Sequence, residues 1–261
     1  MLPLRLHLPA DVVPVVLLLL TGAAVGSFLN VVIYRLPRRE SVVHPGSRCP
    51  GCGDPVGWYD MIPVASYLWL RGRCRACRQA IPASYPLVEA GTAVLFCVLF
   101  LALGSSLAFL RYLVLLLLLL VAAEIDRREG IIPNRLLGPG ALLGLALAAA
   151  PGEPAFGEAL GAAAASAGVL LGLRGVSARW LGQPGMGMGD VKLAATTALF
   201  LGWENFWVFY LAAVLGGAMG LVGTGLGRLQ RTSRLPFAPF VAAGAVLDLF
   251  LLPASVVLRS W

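Results

Sequence analysis

Val12-Val-Pro-Val-Val-Leu-Leu-Leu-Leu-Thr-Gly-Ala-Ala-Val-Gly-Ser-Phe-Leu-Asn-Val-Val-Ile-Tyr34 is a run without a charge, ended by Arg35, Arg38 and Arg39. As a helix rising 1.5 Å per residue it reaches about 34 Å, enough for a hydrocarbon layer of about 30 Å. A cleavable secretory leader carries its positive charge ahead of the apolar stretch. Here only Arg5 precedes it, and the heavier charge follows. The run therefore reads as a retained span with its N-terminus outside and the following loop in the cytoplasm.

The rest of the 261-residue chain repeats this pattern: 59% of its residues are hydrophobic and 13% charged. A soluble domain is nearer 45–50% apolar and about 25% charged. Further apolar runs fall at about Leu87–Gly104, Tyr112–Ala123, Ile131–Ala149, Phe156–Leu173, Met188–Leu201, Phe206–Leu226 and Phe237–Val257. The expectation is an all-α polytopic membrane protein with about eight transmembrane helices and a small cytoplasmic loop domain. It divides into an N-terminal transmembrane helix (1–34), the loop (35–86) and a transmembrane core (87–261).

Charge placement supports eight crossings. The inferred cytoplasmic segments hold 17 of the 20 Lys and Arg residues, leaving Arg5, Arg111 and Arg259 outside. The net charge of +7 is therefore a topology signal and no footprint for nucleic acid. Membrane lipids are the expected surroundings. The many glycines read as close helix packing, and Cys97, alone in an apolar run, as a small packed hydrophobe.

The loop carries Cys49-Pro-Gly-Cys52 and Cys74-Arg-Ala-Cys77. Two C-x2-C hooks supply four sulfurs for a tetrahedral zinc ion, and a site filled by four cysteines leaves no place for a reacting water. Zn2+ would be structural, cross-linking a loop with little apolar surface. Arg71, Arg73, Arg75 and Arg78 surround the second hook and favour thiolates. Two disulfides, four free thiols or an iron–sulfur cluster are the rival readings.

Asp126, in Ala-Glu-Ile-Asp-Arg-Arg, and Asp190, in Gly187-Met-Gly-Asp-Val-Lys192, sit beside long apolar runs on the inferred cytoplasmic side. An ionised carboxylate near hydrocarbon pairs, lines a wet cavity or does chemistry. Two that share a proton can act as base and acid on a water attacking an amide. Topology, ion pairing and transport explain the same residues. The glycines match neither phosphate-binding fingerprint.

The ordered set of motifs resembles the type IV prepilin peptidases (prepilin leader peptidase/N-methyltransferases). It comprises Gly26-Ser-Phe-Leu-Asn-Val-Val-Ile-Tyr-Arg-Leu-Pro37, both cysteine hooks, Ile62-Pro-Val-Ala-Ser-Tyr67, Tyr85-Pro-Leu-Val-Glu89, Ile125-Asp126 with Pro133-Asn134, Gly187-Met-Gly-Asp-Val-Lys-Leu193 and Pro236-Phe-Ala-Pro-Phe240. The resemblance implies an inner-membrane aspartic endopeptidase with Asp126 and Asp190 catalytic. It would cut the basic leader from type IV prepilins or pseudopilins of pilus and type II secretion systems at the cytoplasmic face. It also implies zinc on Cys49, Cys52, Cys74 and Cys77, and methylation of the new N-terminus from S-adenosylmethionine, with Glu89 and Gly26 as candidates for that site. Glu89 fits a helix-start charge equally well. Glu89, Glu124 and Glu129 are candidate contacts for a basic leader. Arg127-Arg128-Glu129-Gly130 and Asn134 depart from the usual pattern, which bears on substrate preference. A peptidase without methyl transfer, a general intramembrane aspartyl protease, and a transporter or zinc-stabilised scaffold are the alternatives.

Overall fold

A computed structural model describes residues 12–152, 154–227 and 235–251. Arg5, Arg228, Arg231, Arg234 and Arg259, used in the charge count, lie outside the described residues, as does the end of the eighth run.

Among the described residues the protein is all-α, its only β pairing being two isolated bridges, Arg48 with Pro55 and Arg73 with Ala80. The helices are α1 (Val12–Arg35), α2 (Ala65–Trp69), α3 (Ser84–Leu103), α4 (Leu107–Glu129), α5 (Asn134–Ala148), α6 (Phe156–Leu181), α7 (Met188–Leu201), α8 (Asn205–Gly225) and α9 (Ala238–Leu251). They form two compact units, residues 1–109 and 110–261.

Each of the eight expected runs overlaps a helix, but among the described residues only five stretches are long and apolar enough to cross a membrane unaided. They are Val13–Arg35, Ser84–Leu103, Leu107–Glu129, Phe156–Trp180 and the 38-residue stretch Met188–Gly225. Length and composition thus give five candidate spans among the described residues, against the eight expected. The 15-residue α5 reaches about 22 Å and the 14-residue α7 about 21 Å, each short of the hydrocarbon layer. α7 ends at Gly202, whose φ of 58° no β-branched residue would adopt cheaply, and a one-turn 3₁₀ segment leads on into α8.

In the first unit α1 and α3 pack antiparallel. A Cβ on Gly22 would stand 2.7 Å from Ala93 Cα, and one on Gly26 would stand 2.7 Å from Glu89 Cα. Gly22-x-x-x-Gly26 lets the two backbones touch, which replaces a hydrophobic driving force that lipid cannot supply. Asn30 Nδ2 extends the same register by donating to Tyr85 O at 3.0 Å. Cys97 is buried in it, its thiol 3.7 Å from Val15 O, as a packed hydrophobe should be.

In the second unit α7 packs against α5, α6 and α8, and α4 is the most buried of the five long apolar stretches, with 56% of its window buried. α5 approaches through Gly140, where a Cβ would collide with Leu118, and Gly144, where it would meet Phe200. Buried Asn205 ties three helices together. It accepts from Thr197 Oγ1 (2.6 Å) and donates to Ser166 Oγ (3.0 Å) and Ala194 O (3.1 Å). Between apolar helices such bonds fix register, because the alternative is an unpaired amide in hydrocarbon.

Replacing Gly22 by Val should lower stability by about 1–3 kcal/mol by forcing α1 from α3. Unfolding titrations of purified protein in mixed micelles measure it; unchanged stability would show that the helices tolerate separation there.

Candidate functional site

Asp126 occupies the last turn of α4 and is 9% exposed. Its Oδ2 accepts the backbone N–H of Ala238 at 3.0 Å. Ala238 begins α9, where N–H groups have no partner inside the helix, so this carboxylate receives a free donor and the positive end of a helix dipole. The Pro236-Phe-Ala-Pro-Phe240 segment thereby acquires a purpose that its sequence alone did not suggest: it starts a helix on Asp126.

Asp190 uses the same device locally. It is the third residue of α7, and its Oδ2 accepts the N–H of Gly187 at 3.0 Å, the carboxylate half of a capping box. The two glycines ahead of it sit in tight surroundings. A Cβ on Gly189 would stand 3.2 Å from Ile132 Cβ, and one on Gly187 would stand 3.2 Å from Asp190 Oδ2. Asp126 and Asp190 are close enough to interact electrostatically.

Two residues that received no site role from sequence hold the loop ahead of Asp190. Arg174 donates to Met186 O, and Ser177 Oγ accepts from Gly185 N–H at 2.9 Å. Both project from the end of α6, and their spacing of three on an otherwise apolar helix was the available signal. Lys192 Nζ donates to Asn134 Oδ1 at 2.9 Å, joining α7 to the start of α5. Glu124 is engaged by both Arg127 (2.7 Å) and Arg128 (2.6 Å). A basic leader would have to compete with two arginines for it.

The four cysteines of the first unit converge, with all their Sγ atoms within 4.8 Å of one another and Cys49 to Cys77 at 3.7 Å. None is disulfide-bonded. A tetrahedron with metal–sulfur bonds of about 2.3 Å has edges of about 3.8 Å, so the cluster can hold a metal ion. The two hooks are structurally alike. Cys49 N–H donates to Asp54 O and Gly53 N–H to Cys49 O, while Cys74 N–H donates to Gln79 O and Arg78 N–H to Cys74 O. Backbone N–H groups of Cys52 and Gly51 draw the Cys49 thiol down to about 7. The Cys52 thiol has the backbone of Asp54 lowering it, but desolvation and the neighbouring Cys49 and Cys77 sulfurs prevail and push it up to about 12. Four thiolates this close would need a cation between them.

Glu89 lies on α3 with its Oε2 accepting the N–H of Val64 at 2.7 Å. Gly26 faces the Glu89 backbone and is a packing residue here.

Residues 20–103 match the family described as Bacterial Peptidase A24 N-terminal domain, and residues 113–222 match the Type IV leader peptidase family. A Burkholderia pseudomallei (strain 1026b) protein named prepilin leader peptidase/N-methyltransferase is 36% identical over 88% of this chain and 82% of its own. The chain belongs to the type IV leader peptidase family. Relatives of the same name from Aeromonas salmonicida (strain A449) and Myxococcus xanthus (strain DK1622) are 34% and 39% identical, covering 87% and 79% of this chain and 87% and 62% of theirs. No solved structure matches. The two leader-peptidase family matches fall within the two compact units, one in each.

Cys74→Ser should cost the purified protein about one equivalent of zinc, read by atomic absorption. Retention of metal by C74S would disqualify this cluster as its site.

Proposed function

We propose that this protein removes the leader from type IV prepilins or pseudopilins at the cytoplasmic face of the bacterial inner membrane, and methylates the amine so exposed. What supports the reading is that Asp126, at the end of α4, and Asp190, at the start of α7, are close enough to interact electrostatically, and that each is held by a backbone N–H. Two near carboxylates share a proton, because both cannot ionise at once. The ionised one takes a proton from water as the water attacks the scissile carbonyl. The protonated one polarises that carbonyl and then protonates the departing amine.

Topology follows from charge. With 17 of 20 basic residues assigned inside, the N-terminus lies outside, and the cysteine loop and both aspartates face the cytoplasm. Eight crossings, α1 and α3 to α9, satisfy this count if the short α5 and α7 are enclosed by their neighbours. Residues 1–34, 35–86 and 87–261 then serve as N-terminal span, zinc-bound loop and protease core. Zn2+ on Cys49, Cys52, Cys74 and Cys77 is structural, since four sulfurs complete its coordination.

S-adenosylmethionine supplies the methyl group. The new N-terminal amine takes it, forming an N–C bond as the C–S bond breaks, and gives up a proton to water. A peptidase alone would release the same cleaved product unmethylated. A general intramembrane protease would cut within substrate helices and ignore the leader.

Mass spectrometry of a purified prepilin incubated with the protein, with and without S-adenosylmethionine, separates these readings by leader loss and by one added methyl. Asp126→Asn and Asp190→Asn should each lower cleavage roughly 10⁴-fold at normal abundance; substantial residual activity in either would sink the acid pair. Gly189→Val should push α7 off Ile132, displace Asp190 and cost about 10²-fold in kcat. Cleavage by G189V at the wild-type rate would mean that the contact does not position the carboxylate.

A further inference from the structure

The loop between α1 and α3 leaves an apolar, aromatic surface bare. Trp58, Tyr59, Met61, Ile62, Leu68 and Trp69 are all exposed, Trp58 at 76% and Trp69 at 85%. They fall on and beside a one-turn 3₁₀ segment (Trp58–Met61) and α2, which pack against each other, and neither element has a buried residue. At five residues α2 is far shorter than the ~12–15 that sustain an isolated helix in water. With no apolar face covered inside the protein, it needs a surface outside.

Two bonds fix the height of that surface. α3 starts at Ser84, and its 20 residues reach about 30 Å, the thickness of the hydrocarbon layer. Asn30 of α1 donates to Tyr85 O at the start of α3, and Val64, the residue ahead of α2, gives its N–H to Glu89 Oε2 at 2.7 Å. Glu89 stands about 8 Å along α3 from its first residue. The start of α2 is therefore held beside the first two turns of a membrane helix, level with the edge of the hydrocarbon.

Charge says what covers the surface. Between residues 35 and 86 the chain carries eight arginines against Glu40, Asp54 and Asp60. Asp60 is clasped by Arg75, whose guanidinium also lies over the Tyr59 ring at 5.2 Å. Arg71, directly after α2, and Arg73 and Arg78 are exposed, and among the described residues no carboxylate pairs with them. Arg39, Arg71 and Arg78 have φ of 61°, 53° and 60°. A residue with a Cβ is disfavoured there and glycine is not, so these positions hold arginine for its charge.

We propose that this face of the loop docks on the anionic headgroups of the leaflet into which α1 and α3 run, with Trp58, Leu68 and Trp69 entering the boundary and the arginines meeting phosphates. Tryptophan suits that depth, its ring apolar and its N–H satisfied by headgroups or water. Each basic residue near an anionic leaflet adds to the attraction. A second copy of the chain, or a basic leader, would bring like charge to the same arginines, and lipid does not. Only the assignment of this leaflet to the cytoplasmic side rests on the topology above.

The test reads Trp58 and Trp69 in the full, zinc-loaded chain, reconstituted in nanodiscs of phosphatidylcholine alone or of equal parts phosphatidylcholine and phosphatidylglycerol, with lipids brominated near the head of the acyl chain. Their emission is the difference between the wild type and Trp58→Phe/Trp69→Phe. Bromine should quench it about twofold more in the phosphatidylglycerol discs. Arg71→Gly/Arg78→Gly removes two charges while easing the backbone, and Gly53 already holds the place of Arg78 in the other hook. That variant should keep its zinc and lose the gain. No quenching in either disc, equal quenching in both, or a gain that survives in R71G/R78G overturns the proposal. So does emission that responds only to added prepilin or to protein concentration, which assigns the face to substrate or to a second copy. The discs have two identical leaflets and no cleavage is read, so none of these outcomes depends on the function or topology proposed above.

Discussion

The N–H of Ala238 reaches Asp126 Oδ2 across 112 residues of sequence, and much of the second unit is arranged to permit that bond. A carboxylate at the margin of hydrocarbon needs donors that bring no side chain of their own to fill the space around it. Helix N-termini are such donors: their first N–H groups are unpaired, and their dipole is positive. Asp126 takes one from the start of α9, and Asp190 takes one from the start of its own helix. In these hydrogen bonds each carboxylate is thus held by a backbone donor rather than by a cationic side chain, and the two are close enough to interact electrostatically. The nearby arginines, Arg127 and Arg128, are turned to Glu124 instead. An arginine paired directly to either aspartate would hold it ionised and remove the proton that acid catalysis requires.

The cysteine loop answers a different constraint. It has few buried apolar residues, so its order comes from turns, bridges and four converging sulfurs. Both hooks use one backbone pattern, with a donor from the residue four after the first cysteine and that residue at positive φ. Gly53 takes this conformation without strain at 75°, whereas Arg78 takes it at 60° with a Cβ. Arg78 also adds positive charge beside four sulfurs, which a glycine could not. The hooks are thus a structural repeat faint in sequence, since only the cysteines and the arginine ahead of each first cysteine coincide.

Much of the fold was legible because hydropathy measures the quantity that places helices in a membrane. The apolar runs and the helices overlap throughout. Length was less legible: Pro133 caps α5, which begins three residues after its apolar run, whereas α4 and α6 extend past the runs that marked them. Of the candidate site, the aspartates and the cysteine hooks stood out as residue types that are expensive or purposeful where they occur. Their supports did not. Ala238 acts through a backbone N–H, and Gly189 through the absence of a side chain. Composition registers neither, and only packing makes them visible.

Arg111 shows how topology and packing compete for one residue. It is one of three basic residues outside the inferred cytoplasmic set, and charge counting can treat it only as an exception. In the structure it is 5% exposed and donates to Leu147 O at 2.7 Å and Ala150 O at 3.2 Å. Those carbonyls terminate α5, which at about 22 Å is too short to bring both ends to water. A helix that stops inside a membrane protein leaves carbonyls that must be satisfied from within. A guanidinium does this with several donors and favours the negative end of the dipole. Arg111 is therefore a consequence of the short α5. The short α5 in turn lets Asn134 begin where Lys192 of α7 can reach it, two residues past Asp190. A cap at one end of the unit and the placement of a carboxylate at the other thus follow from the length of a single helix.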